Sequence, residues 1–139
     1  MSMTETPANA SAEVKGGAVP YLFLKGAAKA IDFYMQAFGA EEAARMPAED
    51  GERLMHAHIY INGGSVMLND FFPEFGHAEA APAAFNVHLQ VKGIQDWWKR
   101  ALDAGCEVKM PLEKQFWGDH YGVLRDPWGV EWSMGETAA

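Results

Sequence analysis

The amino-acid sequence predicts an α+β domain made of two copies of a β-α-β-β-β unit, and three observations predict it. Two runs of strand-forming residues, Val19 to Gly26 and Asn86 to Gly93, both end in Lys-Gly and lie 67 positions apart. Each run is followed by an apolar stripe at helical spacing and then by a hairpin. The glycines that close the two hairpin turns, Gly64 and Gly129, lie 65 positions apart, so the repeat keeps its offset along the unit.

A short amphipathic helix is expected after the first strand of each copy. Apolar side chains recur there at helical spacing: Ala27, Ile31, Tyr34 and Phe38 in the first copy, and Ile94, Trp98 and Ala101 in the second. Gly39 and Gly105 follow these stripes. Glycine is typical just after a helix, so both helices are expected to end there.

Three further strands are expected in each copy, and two of them form a hairpin. The hairpins turn at Asn62-Gly63-Gly64 and at Asp126-Pro127-Trp128-Gly129, which are turn-forming sequences. The strands predicted around these turns are Leu54 to Ile61, Ser65 to Asn69, His120 to Arg125 and Val130 to Met134. The remaining strand of each copy is expected near Glu41–Met46 and near Cys106–Met110.

These elements predict one domain over residues 18–135, preceded by a leader over residues 1–17 that shows no periodicity and is expected to be disordered. Module one spans residues 18–70, a linker spans 71–84, and module two spans 85–135. The sheet of each module has a helix on one face only, so its other face needs cover. We expect the paired sheets to form a cupped, barrel-like surface around a small-molecule cavity. The linker contains Phe71, Phe72 and Phe75, which are expected to fold over apolar surface or over the edge of the core.

Composition and charge exclude several classes of protein. The 139 residues suit one domain, and the formal net charge of −8 disfavours binding to nucleic acid phosphates. No apolar run approaches the roughly 20 residues of a membrane span, and the first residues do not form a signal-peptide pattern. The single cysteine, Cys106, allows no internal disulfide and indicates a reducing compartment, the cytoplasm.

Several motifs resemble the PhnB-type branch of the vicinal oxygen chelate superfamily, which contains glyoxalases, bleomycin-resistance proteins and extradiol dioxygenases. They are Pro20-Tyr21-Leu22, His56-Ala57-His58, the run from Phe116 to Gly122, Asp126-Pro127-Trp128-Gly129 and Trp132-Ser133. The resemblance spans about residues 19–135 and implies the glyoxalase/bleomycin-resistance fold. It also implies a homodimer, with one of the adjacent Trp97 and Trp98 facing the partner. The reaction does not follow, because this fold hosts many activities.

The resemblance implies a divalent metal held by ligands on the first and last strands of each unit. The matching positions here are occupied by Val19, Leu68, Asn86 and Ser133, so the usual ligand set is missing.

A displaced metal site is the alternative. His88 and Glu131 each lie two residues from a usual ligand position, and they would meet if their strands ran as antiparallel neighbours. Together they could bind zinc, manganese, nickel or iron, with Glu131 as a ligand or general base and His88 beside it. A metal-free polar cavity is favoured over this site because the usual pattern is absent.

Other candidates are expected to contact a substrate: Tyr21, His56, His58, Trp117, Tyr121 and Trp132. Met55, Ala57, Ile59 and Ile61 would then pack toward the helix, while His56, His58 and Tyr60 face the cavity. Core packing explains Tyr21 and the aromatic residues of the closing motif equally well. Cys106 is interpreted as a buried structural thiol.

Two functions follow, and whether the protein is an enzyme stays open. The first is a superfamily protein that binds a small molecule between its modules and, if it is an enzyme, acts as a metal-assisted lyase, isomerase or dioxygenase. The alternative is a binding protein without turnover that sequesters a cationic aromatic molecule such as an antibiotic. The acidic charge and the aromatic closing motif favour such a ligand.

Overall fold

The computed structural model describes residues 12–139. Residues 1–11, which are most of the predicted leader, lie outside the described residues. The described elements follow the order predicted from the repeat. They are β1 (Tyr21–Phe23), α1 (Ala27–Phe38), β2 (Glu41–Pro47), β3 (Leu54–Ile61), β4 (Gly64–Asn69), a 3₁₀ turn (Pro73–Phe75), β5 (Asn86–Gln90), α2 (Ile94–Ala104), β6 (Glu107–Lys114), β7 (His120–Arg125) and β8 (Glu131–Glu136).

The strands form two four-stranded sheets with the same topology. The first sheet has the order β1-β4-β3-β2 and the second has the order β5-β8-β7-β6. The pairs β1–β4 and β5–β8 are parallel, and the other neighbouring strands are antiparallel. The predicted α+β fold is confirmed, and the described strands do not close into a barrel.

The chain divides into two compact units. Among the described residues, the first unit comprises 12–35 and Gly39–Glu79, and the second comprises Gln36–Phe38 and Ala80–Ala139. Neither helix within residues 12–139 has the length and apolar character needed to span a membrane.

The core of the first unit contains the predicted helical stripe. Ala27, Ile31 and Tyr34 are fully buried, as are Ala57 and Ile59 on β3. Met55 was expected on the same buried face, but 52% of its surface is exposed. It lies at the start of β3 and lines an open cavity, so nothing covers it there.

Strand β6 of the second unit is longer than predicted. β6 continues to Lys114, four residues beyond the predicted end at Met110, and includes Pro111. Proline is tolerated because β6 is an edge strand and one side of its backbone needs no ladder partner.

A buried carboxylate connects three elements of the first unit. Asp70 is 3% exposed and follows the end of β4. Its Oδ1 accepts the backbone N–H groups of Gly26 (2.7 Å) and Ala27 (3.1 Å), and its Oδ2 accepts that of Leu54 (2.7 Å). Asp70 therefore caps the start of α1 and anchors the start of β3.

Replacing Asp70 by alanine is expected to lower the free energy of unfolding by about 3 kcal/mol, because buried backbone donors lose their acceptor. Urea denaturation followed by circular dichroism measures this loss. The matched control is Asp103→Ala, which removes a carboxylate from the exposed Lys99–Asp103 ion pair and should change stability little. Equal losses in the two variants would contradict the anchoring role of Asp70.

Candidate functional site

Strand β1 presents two aromatic rings on its exposed face. Tyr21 and Phe23 are 40% and 44% exposed, while Leu22 between them is 3% exposed. Alternation along the strand produces this pattern, because successive side chains point to opposite faces. The centroids of the Tyr21 and Phe23 rings lie 5.3 Å apart, so they form one continuous aromatic surface.

Imidazole rings extend this surface on both sides. The His56 ring lies 5.8 Å from the Tyr21 ring, and the His77 ring meets Phe23 nearly at a right angle at 4.4 Å. His77 also lies 5.4 Å from Phe71. We call these five residues the aromatic face. Sequence reasoning found Tyr21 and His56, but it missed Phe23 and His77, whose only signal was aromatic character in a strand and in the linker.

A hydrogen bond links the two predicted members of the aromatic face. The Tyr21 hydroxyl lies 2.9 Å from His56 Nδ1. Burial raises the pKa of Tyr21 above its ordinary value of 10.0, so the phenol keeps its proton at neutral pH. Tyr21 and Nδ1 of His56 thus share one hydrogen bond, whose donor depends on the tautomer of the ring.

His58 lies on the neighbouring stretch of β3 but is not open to a ligand. It is 2% exposed, and its Nε2 lies 2.7 Å from Ser65 Oγ. The backbone N–H of Lys15 donates to the same Oγ at 2.7 Å. Burial, and then the nearby His56, lower the pKa of His58, so the ring is neutral at neutral pH.

The chain before β1 contributes this cover. The Tyr60 hydroxyl donates to the carbonyl oxygen of Glu13 at 2.6 Å, and Lys15 Nζ lies 4.3 Å from the centre of the Tyr60 ring. The Ser65 N–H also donates to the Lys15 carbonyl oxygen at 2.9 Å. Residues 13–15 thus lie across the β3–β4 hairpin, where sequence reasoning expected His58 and Tyr60 to be open.

In the second unit, the strand direction assumed for the displaced metal site is wrong. β5 and β8 run parallel, with Asn86 opposite Glu131 and His88 opposite Ser133. Glu131 pairs instead with Arg125, at 3.0 Å between Oε2 and Nη2. The structure therefore does not bring Glu131 and His88 together, because parallel register shifts them two residues apart.

His88 lies within a chain of hydrogen bonds along β5 and β8. Ser133 Oγ donates to Asn86 Oδ1 at 3.1 Å, and His88 Nδ1 lies 2.7 Å from the same Oγ. His88 Nε2 lies 2.8 Å from Gln90 Oε1, and the Gln90 amide donates to Thr137 Oγ1 at 2.8 Å. Both ring nitrogens of His88 are thus engaged within the chain.

The His88 ring crosses a glycine to reach an aromatic partner. It stacks on Tyr121 with the ring centroids 6.0 Å apart and the planes 20° from parallel. A Cβ at Gly135 would lie 2.9 Å from Gln90 Oε1 and 3.0 Å from His88 Cε1. A side chain at position 135 would therefore require the Gln90 amide or the His88 ring to shift.

The remaining predicted residues of the closing motif lie in different environments. Trp132 is fully buried; its Nε1 donates to Asp126 Oδ2 at 3.0 Å, and its ring lies 4.7 Å from Phe38. Trp117 is 52% exposed and packs edge-on against Phe116 at the turn before β7. The structure thus places Trp132 in the core and leaves Trp117 half-exposed at a turn.

The donors at the usual metal positions do not fit a divalent ion. Leu68 is fully buried and apolar, and Asn86 and Ser133 are hydrogen-bonded to each other. Across residues 12–139, no three His, Cys, Asp or Glu side chains are grouped as ligands. The lone thiol of Cys106 is 7% exposed, and burial raises its pKa to about 12, consistent with a structural role.

The chain is similar to known proteins over nearly its whole length. The model of the Glyoxalase/Bleomycin resistance protein/Dioxygenase superfamily matches residues 18–134. The protein Rv0887c of Mycobacterium tuberculosis (strain ATCC 25618 / H37Rv) is 45% identical over 123 residues, 84% of this chain and 72% of that protein.

Two solved structures show the same fold. Protein PA1353 from Pseudomonas aeruginosa has a TM-score of 0.72 and 26% identity, covering 88% of this chain and 98% of that one. The fosfomycin resistance protein FosX from Listeria monocytogenes, complexed with Mn(II) and a sulfate ion, has a TM-score of 0.66 and 13% identity, covering 91% and 95%.

The lowered pKa of His58 predicts acid sensitivity. Because the folded state binds a proton at His58 less readily than the unfolded state, its stability is full above the ordinary pKa of 6.5 and is lost as the pH falls below it. Between about pH 7 and pH 5, we expect the melting temperature of the His58→Gln variant to fall by less than that of the native protein. Thermal unfolding across this range measures the effect. The His120→Gln control should keep the native pH dependence, and an unchanged curve for His58→Gln would contradict the interpretation.

Proposed function

Because the chain belongs to the Glyoxalase/Bleomycin resistance protein/Dioxygenase superfamily, we propose that it binds a small planar organic molecule on the aromatic face of its first unit. The observation that carries this proposal is the exposure of the Tyr21 and Phe23 rings, at 40% and 44%, on a strand whose intervening residue is buried. Exposed aromatic rings that lie side by side are a surface on which a flat ligand stacks favourably.

The edge of the aromatic face supplies polar contacts. The Tyr21 hydroxyl engages Nδ1 of His56, so Nε2 is the ring nitrogen that can contact a ligand. It can donate to a polar atom of the ligand or accept from one, according to the tautomer of the ring. The net charge of −8 also favours a cationic ligand over an anionic one. A cationic or neutral aromatic molecule therefore suits this surface best.

Binding without turnover has more support than catalysis. A general base must be deprotonated and open, but Tyr21 keeps its proton and His58 is buried. His88 is held between Ser133 and Gln90, and Glu131 is paired with Arg125. His88 and Glu131, the two predicted catalytic residues, are thus committed to partners within the chain.

Metal-assisted lyase, isomerase or dioxygenase chemistry is the second candidate. Its support is the FosX complex with Mn(II), which belongs to the same fold. The donors of this chain do not form the usual set, so we assign no step of a reaction to a metal. Metal analysis of untagged protein equilibrated with zinc, manganese, nickel or iron decides this point. A stoichiometric metal that is lost in both His88→Ala and Glu131→Ala would favour the second candidate.

We also propose that the protein acts as a homodimer in the cytoplasm. Trp97 and Trp98 are both half-buried on α2, and Trp98 packs over Gly122 of β7, where a Cβ would lie 2.6 Å from the indole. Trp97 is therefore the tryptophan available to a second copy. The buried Cys106 suits a reducing compartment. Light scattering of the purified protein distinguishes one chain from two.

Ligand binding to the aromatic face is tested with proflavine, a planar cation, by isothermal titration calorimetry. Removing one ring of the stack should weaken binding by roughly tenfold, because an aromatic pair contributes on the order of 1 kcal/mol beyond its buried area. We expect this loss for Tyr21→Ala and for Phe23→Ala.

The matched control is Phe116→Ala, which removes a phenylalanine that is 98% exposed and lies outside the aromatic face. This variant should bind proflavine as the native protein does. Equal weakening in Phe116→Ala and Tyr21→Ala, or unchanged binding in both β1 variants, would contradict the proposed surface.

A further inference from the structure

A cavity of about 640 Å³ opens in the first unit between the turn after β2 and the loop after β4. This volume is typical of pockets for small organic molecules. The side chains that define its chemistry are Glu49, Asp50, Arg53, Met55, Glu74 and Phe75. None of them belongs to the aromatic face, so the cavity is a separate site that the proposed function does not use.

The guanidinium of Arg53 makes four hydrogen bonds from its five N–H groups to acceptors of the chain. Nε donates to Asp50 Oδ2 at 2.7 Å, and Nη2 donates to Glu74 Oε2 at 2.6 Å. Nη1 donates to the carbonyl oxygen of Phe71 at 3.2 Å and to Glu74 Oε1 at 3.1 Å. The guanidinium also lies 4.3 Å above the ring of Phe72. The main role of Arg53 is thus to hold together the segments that carry Asp50, Phe71 and Glu74 in the wall of the cavity.

The charge inside the cavity is negative. Hydrogen bonds from the backbone N–H and the guanidinium of Arg53 lower the pKa of Asp50 to about 2, and the same guanidinium lowers that of Glu74. Both carboxylates are therefore ionised at neutral pH, and together they exceed the single charge of Arg53. Within residues 12–139, no hydrogen bond or ion pair of the Glu49 carboxylate is found. A cation is the charged group that this cavity attracts.

The rest of the wall is apolar and contains one unmatched acceptor. Met55 and Phe75 are 52% and 81% exposed, which is unusual for such side chains unless something covers them. Asn69 donates its Nδ2 to the carbonyl oxygen of Met55 at 3.2 Å, but its buried Oδ1 has no hydrogen-bond partner. A buried acceptor without a partner is costly, so the chain alone does not satisfy this part of the wall.

We propose that this cavity binds a protonated amine carried on an apolar body. The ammonium group pairs with Glu49 and the neighbouring carboxylates, and the apolar body packs between Met55 and Phe75. An anionic ligand is disfavoured, because the carboxylates around Arg53 outnumber its single positive charge and the net charge of the chain repels an anion. A purely apolar ligand would leave Glu49 and the Asn69 acceptor without partners.

Three probes with one body and different head groups test the proposal: 4-phenylbutylamine, 4-phenylbutanol and 4-phenylbutyrate. Each is titrated into full-length ¹⁵N-labelled protein and followed by the shifts of backbone amide signals. The amine is expected to bind with shifts at residues 48–55 and 69–75, more tightly than the alcohol, while the carboxylate does not bind. Raising the salt concentration should weaken the amine only. Equal affinity for all three probes, or shifts confined to other residues, would overturn the proposal.

Two variants with a matched control locate the site. Phe75→Ala should weaken amine binding by about fivefold to tenfold through lost apolar contact, and it removes a ring too exposed to support the fold. Glu49→Gln should weaken it by about threefold. Glu52→Gln makes the same charge change in the same turn but lies outside the lining, so it should keep native affinity.

If Glu49→Gln and Glu52→Gln lost equal affinity for the amine, the attraction would come from the overall charge of the protein. That result would overturn the proposed site. Because these variants leave Tyr21 and Phe23 unchanged, proflavine binding in the same proteins reports separately on the aromatic face.

Discussion

The arrangement of the first unit depends on one buried carboxylate, that of Asp70. It accepts backbone N–H groups from the start of α1 and from Leu54 at the start of β3, so a helix and a strand hairpin share one anchor. The negative charge also faces the positive end of the helix dipole. Strand β1 pairs with β4 and leads into this anchored helix start. The N–H of Leu24, just after β1, donates to the carbonyl oxygen of Asn69, which precedes Asp70. The position of the aromatic face on β1 therefore follows from the anchor.

The second unit uses the same solution with different residues. Glu136, at the end of β8, accepts the N–H groups of Gly93 and Ile94, and these hydrogen bonds lower the pKa of its carboxyl. The scaffold is thus repeated, but the surface is not. Positions that hold the open rings Tyr21 and Phe23 in β1 correspond to His88 and Gln90 in β5, whose side chains are consumed by hydrogen bonds to each other and to their neighbours. One copy presents exposed aromatic rings at these positions, and the other has a network of polar side chains hydrogen-bonded to one another.

Sequence patterns predict the elements of this fold well because each element is specified locally. The offset between Gly64 and Gly129 and the helical stripes located every helix and hairpin within a few residues. The site was harder to predict, because strand direction and side-chain partners depend on residues far apart in the chain. Antiparallel pairing of β5 and β8 was assumed, and the parallel register separates His88 from Glu131. No local signal shows that Lys15 would cover His58, or that Gly135 is the position that the His88 ring crosses.

Each copy carries its helix-capping carboxylate at the end of its own last strand. Asp70 and Glu136 both accept backbone N–H groups at the start of the helix of the same copy. The end of the last strand therefore contacts the start of the helix in each copy. The backbone N–H groups at the start of a helix have no acceptor within the helix. In each copy, a carboxylate of the same copy accepts them. Tandem duplication of such a stretch creates no orphaned helix terminus, since every new helix arrives together with its acceptor. The fold can thus be doubled by copying, without inventing a new contact for the second helix.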